Sequence, residues 1–219
     1  AKKTGAVVRA FPVDEDGSFN LTAFTDMMSS RTRIVSVPHV SNVLGTVFPV
    51  AEIARITHDA KALMVVDGCQ GAIHMPVDVQ ALDADFYVFS AHKLYGPNGV
   101  GILWGKADLL ADMPPFLGGG DMIDRVTVEK STYALPPQRF EAGTPAIAET
   151  VALGAAVDYV QAIGMDAIRQ HEEDVLSYAH QRLSAVDGLR LIGTAAKKSG
   201  VVSFTMDCAH PHDISTIID

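Results

Sequence analysis

The stretch Asp85-Phe86-Tyr87-Val88-Phe89-Ser90-Ala91-His92-Lys93-Leu94-Tyr95-Gly96-Pro97 decides the fold. Its first half is apolar and aromatic and reads as a buried strand; its second half is a polar run carrying a lysine. A surface lysine is normally a solvated charge. One held where strands end, beside other polar groups, can lose its proton and act as an amine nucleophile. Upstream, Ala62-Leu63-Met64-Val65-Val66 reads as a second buried strand and stops at Asp67-Gly68-Cys69-Gln70. Ligands of open parallel sheets bind outside the carboxyl ends of the strands. Lys93 and Asp67 are therefore expected to face one crevice.

Working outward, a strand-like run over Gly5 to Phe11 is followed by a helix-like run over Leu21 to Ser29. A strand at Arg33 to Val37 and a helix from about Pro49 to Ala60 come next. This alternation predicts α/β layers around a mostly parallel sheet. The apolar run Val100 to Trp104 follows after only Gly96-Pro97-Asn98-Gly99, too short for a parallel crossover, so it is expected antiparallel to its predecessor. From Met113 through Gly118-Gly119-Gly120 to Pro136-Pro137 the pattern lapses, which predicts a long irregular loop with a functional or interface role. From about Pro145 the chain reads as helical, with a break at Gly164 and a stop at Gly188; Ile168, Val175, Ala179, Leu183 and Val186 recur at helical spacing and are expected in the core. Strands at Leu189 to Ile192 and Val201 to Met206, and a helix from His212, read as part of a small α+β C-terminal domain. The expected division is 1–148 for the large domain and 149–219 for linking helices and the partial second domain.

A chain of 219 residues that is 48% hydrophobic, with mean hydropathy +0.19, can bury a large core. A net charge of -9 and a pI near 5.2, without basic runs, argue against nucleic acid or an anionic membrane as partner, so any anion site must be local. Cys69 and Cys208 lie far apart without CxxC spacing, which fits a reducing cytoplasm better than a disulfide framework. No signal peptide and no apolar run long enough to span a bilayer is found. The chain opens without methionine and closes inside a helix-like run, so it reads as a piece of a longer protein.

Pyridoxal phosphate (PLP) needs a lysine for its aldehyde, a carboxylate for its ring nitrogen, a donor near its phenolic oxygen and a polar cradle for its phosphate. The chain supplies all four: Lys93, Asp67, Gln70, and Ser90 with His92. Competing motifs fail. Gly99-Val100-Gly101 lacks the third glycine of a dinucleotide site, and Gly105-Lys106 is followed by Ala107 rather than the hydroxyl of a phosphate-binding loop. His210-Pro211-His212 with Cys208 is one turn-like cluster without a second ligand pair, so no metal is expected. His171, His180 and Glu172-Glu173-Asp174 read as solvent-facing positions on a helix, and Cys69 as a small packing residue.

Four motifs in order, His39-Val40-Ser41-Asn42-Val43-Leu44-Gly45-Thr46, Asp67-Gly68-Cys69-Gln70, Ser90 to Pro97, and Arg139-Phe140-Glu141-Ala142-Gly143-Thr144-Pro145, resemble the class V aminotransferase superfamily, more narrowly its cysteine desulfurases of the SufS type. The resemblance implies a fold-type-I PLP enzyme, a homodimer, that converts L-cysteine to L-alanine. It further implies that the sulfur passes to an enzyme cysteine as a persulfide and then to an acceptor protein of iron-sulfur cluster assembly. By the same resemblance Asn42 lies by the cofactor or the substrate carboxylate. Thr144 reaches the phosphate of the partner subunit, with the Gly118 to Gly120 loop near that shared site. The family's persulfide-forming cysteine falls beyond the last helix, and Cys208 is not its substitute. Alternatives are a selenocysteine lyase, another class V aminotransferase, or a non-catalytic dimerising or docking module.

Overall fold

The computed structural model describes residues 3–218. Its centre is a four-stranded sheet in the order β1 (Ile34–Pro38), β2 (Leu63–Asp67), β3 (Phe86–Ser90), β4 (Gly101–Gly105). β1 and β2 are parallel, as are β2 and β3, while β4 returns antiparallel along β3, as the short connection requires. In register, Pro38 stands opposite Asp67, and Asp67 opposite Val88. The carboxyl ends of three strands are thereby aligned along one rim.

Helices cover the sheet. Helix α1 (Leu21–Met27) starts where the Asn20 side chain accepts the Ala23 N–H at 2.8 Å. Helix α2 (Val50–Asp59) buries Val50, Ile53, Ala54 and Thr57, spaced i, i+3, i+4, i+7, so one stripe faces the sheet. Against it stand Val37, Met64 and Val66, all almost fully enclosed. Each such side chain contributes roughly 1.5–3 kcal/mol on leaving water.

The end of the sheet away from that rim is tied by charge. The buried Asp85 carboxylate accepts the Met64 N–H at 2.7 Å, lies 2.9 Å from His58 Nε2, and pairs with Lys106 Nζ at 2.8 Å. Burial pushes the Asp85 carboxyl up, but the bonds from Lys106, Met64 and His58 outweigh it and leave the group below its usual range.

After β3 the chain makes a 3-10 turn at Ala91–Lys93. A four-residue helix, α3 (Gly71–His74), follows β2, and α4 (Ala107–Asp112) follows β4. The span expected to be one irregular loop contains a hairpin, β5 (Ile123–Val126) with β6 (Ser131–Tyr133). Every residue of both strands is exposed, so no buried face imposes the alternating pattern by which a strand is read. Arg139 secures this region, donating to the carbonyls of Ala134, Ala111 and Met113.

Helices α5 (Ile147–Ile163) and α6 (Met165–Ser184) bend by 72° at Gly164, whose φ of 90° suits glycine. Then come β7 (Leu189–Ile192), β8 (Ser203–Met206), paired antiparallel, and α7 (Pro211–Ile218). Ile73 and Leu94 from the rim pack with Val160, Met165 and Ile168, so α5 and α6 are seated on the carboxyl end of the sheet.

Three further expectations fail. Gly5 to Phe11 forms no strand: Val7 and Val8 are exposed, and neither outer strand of the sheet pairs with the segment. Val175 and Val186 are exposed, because α6 turns Ile168, Glu172, Leu176, Ala179 and Leu183 inward instead. Glu172 and His180 are partly buried rather than solvent-facing, and His180 Nε2 is enclosed without a hydrogen-bond partner. Asp219, at the end of the expected last helix, lies outside the described residues.

Candidate active site

The rim is assembled from three strand ends. The His39 N–H donates to the Asp67 carbonyl at 2.8 Å, and the Gly68 N–H to the Val88 carbonyl at 2.7 Å, which extends the pairing past the last residue of β2. Gly68 is required there: a Cβ would come within 1.9 Å of the Tyr87 ring. The chain after Asp67 therefore lies flat on β3 and turns at once, with the Cys69 N–H donating to Asp67 Oδ1 at 3.0 Å. Cys69 Sγ reaches 3.8 Å from Ser90 Oγ, so the Asp67 turn and the end of β3 share one surface.

Of the residues expected at the site, the structure brings Asp67, Gln70 and Ser90 together on this rim. His92 and Lys93 follow Ser90 directly on the 3-10 turn, and both are exposed. The Lys93 amine makes no hydrogen bond or ion pair with any described residue, and Asp67 Oδ2 is also uncommitted. Asn42 stands on the exposed turn between Val40 and Val47, beyond the end of β1. Thr144 is exposed and has no bond to the rim residues; its neighbour Gly143 donates to the Gly120 carbonyl at 2.9 Å, and Gly119 packs on Ala142. Thr144 and the triple-glycine loop thus form a second surface.

Beneath the rim lies a pair that the motifs contain but whose role they do not reveal. His39 Nδ1 is 3.0 Å from the Tyr87 hydroxyl, both side chains are buried, and Gly71 leaves room for the imidazole. Burial pushes the His39 pKa down. Burial pushes Tyr87 up, and the Asp67 and Cys69 charges reinforce it, so the phenol keeps its proton and shares one hydrogen bond with His39 Nδ1. The sequence signal was Gly68 and Gly71, glycines that a close approach demands. Also missed were His74 and Glu172, which meet at 2.8 Å at the edge of the rim.

A free amine, a half-committed carboxylate, a carboxamide and a hydroxyl on one rim match the donor set that PLP requires. Two cavities lie elsewhere: about 530 Å³ between α1 and α2, and about 270 Å³ between α6 and the 195–198 segment. The rim itself is an open, solvent-facing edge. No group of three or more His, Cys, Asp or Glu among the described residues is arranged to hold a metal.

The mixed sheet with a lysine turn at its carboxyl rim has a class: the aminotransferase class-V family profile matches residues 1–219, and the chain belongs to that family. Its α/β fold is that of the fold-type-I enzymes. The chain is 48% identical, over 100% of its own length and 53% of the relative's, to a cysteine desulfurase of Dickeya dadantii. It superposes on the apo cysteine desulfurase of Thermococcus onnurineus NA1 with a TM-score of 0.93 at 34% identity, covering 100% of this chain and 55% of that one. A C-DES variant with glycine covalently linked to its PLP cofactor gives a TM-score of 0.80 at 29% identity, covering 94% and 56%. The chain spans about half the length of the curated relatives it matches.

Proposed function

We propose that the protein is the PLP-binding core of a cysteine desulfurase that acts on L-cysteine and yields L-alanine. One observation carries this reading. Asp67 and Ser90 end adjacent parallel strands, and the turn that follows immediately presents Lys93 with its amine uncommitted. The names and folds of the relatives support it.

Lys93 is the residue that joins the cofactor aldehyde. With PLP bound, its amine would take and return the proton at the substrate α-carbon. Asp67 keeps the proton on the ring nitrogen, and Gln70 donates to the phenolic oxygen. Ser90 and His92 hold the phosphate, and Asn42 binds beside the cofactor or the substrate carboxylate. When bound, PLP supplies an electron sink for the charge that develops at the α-carbon. Thr144 and the Gly118 to Gly120 loop serve the phosphate of a partner subunit, which makes the working unit a homodimer. The sulfur leaves as a persulfide on a cysteine other than Cys69 or Cys208 and passes to an acceptor of iron-sulfur cluster assembly, as in SufS-type enzymes. We place the boundary between the cofactor domain and the second domain near residue 148, and the protein in the cytoplasm, where its two free thiols stay reduced.

The test is covalent trapping. Incubation with PLP, borohydride reduction and peptide mapping should add the cofactor mass to the peptide containing Lys93. Lys93→Ala should abolish that label and lower alanine formation from cysteine at least about a hundredfold. A wild-type protein that takes no label on Lys93 would exclude this function in favour of a docking module. Labelling with selenide or keto acid as the favoured product would point to a selenocysteine lyase or an aminotransferase.

A further inference from the structure

Gln70 is held from outside the rim. Its Oε1 accepts from His74 Nε2 at 3.1 Å, across the single turn of α3, and His74 Nδ1 faces both carboxylate oxygens of Glu172, at 2.8 and 3.0 Å. Glu172 belongs to α6, 98 residues further along the chain. The contact is sheltered: the His74 and Glu172 side chains are only 13% and 23% exposed. It is also built for. Gly200 lies against the imidazole so closely that a Cβ there would come within 2.5 Å of the ring.

A carboxylate can only accept, so the hydrogen on Nδ1 points to Glu172 and fixes the plane of the ring. Gln70 Oε1 is likewise only an acceptor, so this geometry places a hydrogen on Nε2 as well: the ring stands as a doubly protonated imidazolium between two acceptors, which leaves the Gln70 NH2 as the end of the amide that is uncommitted. A glutamine side chain with three free torsions would otherwise lose that freedom each time a ligand engaged it. Supporting partners of this kind orient a binding group without touching its ligand.

We propose that His74 and Glu172 are positioning residues that hold the Gln70 amide with its NH2 toward the cofactor, coupling α6 to the PLP site. This rests on the reading of Gln70 as a cofactor-binding residue. The rival explanation is plain adhesion between α3 and α6, which also touch through Ile73, Met165 and Ile168.

A double-mutant cycle separates the two. Wild type, Glu172→Ala, Gln70→Ala and the double variant are titrated with PLP, and affinity and the position of the cofactor's absorption band are recorded, with the thermal midpoint of the cofactor-free protein as the stability readout. Glu172→Ala should weaken PLP binding roughly tenfold and shift the band. Both effects should vanish in the Gln70→Ala background. Glu172→Gln, whose carboxamide oxygen still accepts from Nδ1, should restore most of the affinity. The same loss of affinity with and without the Gln70 amide, or no loss at all, overturns the proposal. If Glu172→Ala does not fold, Glu172→Leu, which fills the space beside Met165 and Ile168, carries the same cycle. Wild-type protein that binds no PLP at Lys93 defeats the underlying function, whereas PLP binding with an additive cycle defeats only the coupling.

Discussion

His39 is 5% exposed, and its imidazole has the Tyr87 hydroxyl as its hydrogen-bond partner. Burial lowers its pKa from the ordinary 6.5, so the unfolded chain binds a proton there more readily than the folded protein does. The stabilising contribution is therefore complete above pH 6.5 and is lost as the pH falls through the folded value. His180, lowered by burial and then by Lys198, acts in the same direction. Urea unfolding between pH 8 and pH 5 should show stability falling toward acid. His39→Asn, which does not titrate in this range, should be less stable at pH 8 but show a shallower slope; an unchanged slope would remove His39 as a source. At this scale the sequence singled out Asp67, Gln70, Ser90 and Lys93 because each lies at or just past the end of a buried run. His74 and Glu172 carried no such mark; His39 stands just past β1, but what makes it matter is Tyr87, 48 residues away.

Among the elements, the pairing of β2 with β3 does most to shape the rim. Gly68 lies against the hydroxyl end of the Tyr87 ring, the same end that His39 holds. Gly68→Ala therefore cannot be relieved by rotating one side chain. It should destabilise the fold by about 1–3 kcal/mol or more and weaken PLP binding, as measured by urea unfolding and cofactor titration; Gly154→Ala on α5, where a Cβ meets nothing, should do neither. The central strands were legible as short apolar runs ending in polar residues, with burial alternating along β1 and β2. The β5–β6 hairpin was not, because it is exposed along its whole length. The inward face of α6 was misread at Val175 and Val186 because a helix bearing apolar residues on two sides does not declare which side is covered.

Across the whole molecule, exposed apolar side chains gather on the 116–135 region and on α5. Phe116 is 90% exposed and Val128 101%, with Leu117, Val126 and Leu135 nearby in sequence, and α5 leaves Ile147, Val151 and Tyr159 exposed. Single exposed apolar side chains are ordinary, but so many bulky ones around the triple-glycine loop suit a surface that a second subunit covers. Sedimentation should find the wild-type protein as a dimer. Phe116→Asp with Val128→Asp should shift it to monomer and reduce PLP affinity while leaving the far-ultraviolet circular dichroism unchanged. A wild-type monomer at micromolar concentration would remove the homodimer from the proposed function.

The mostly parallel central sheet, the antiparallel return of β4 and the polar residues at each strand end could all be read from the chain, because burial imposes periodicity on neighbouring residues and a short connection limits direction. The lock on Gln70 could not. It joins Gln70 to Glu172 through the part-buried imidazole of His74, itself 98 residues from Glu172, and a contact of that kind leaves no periodic trace in either segment.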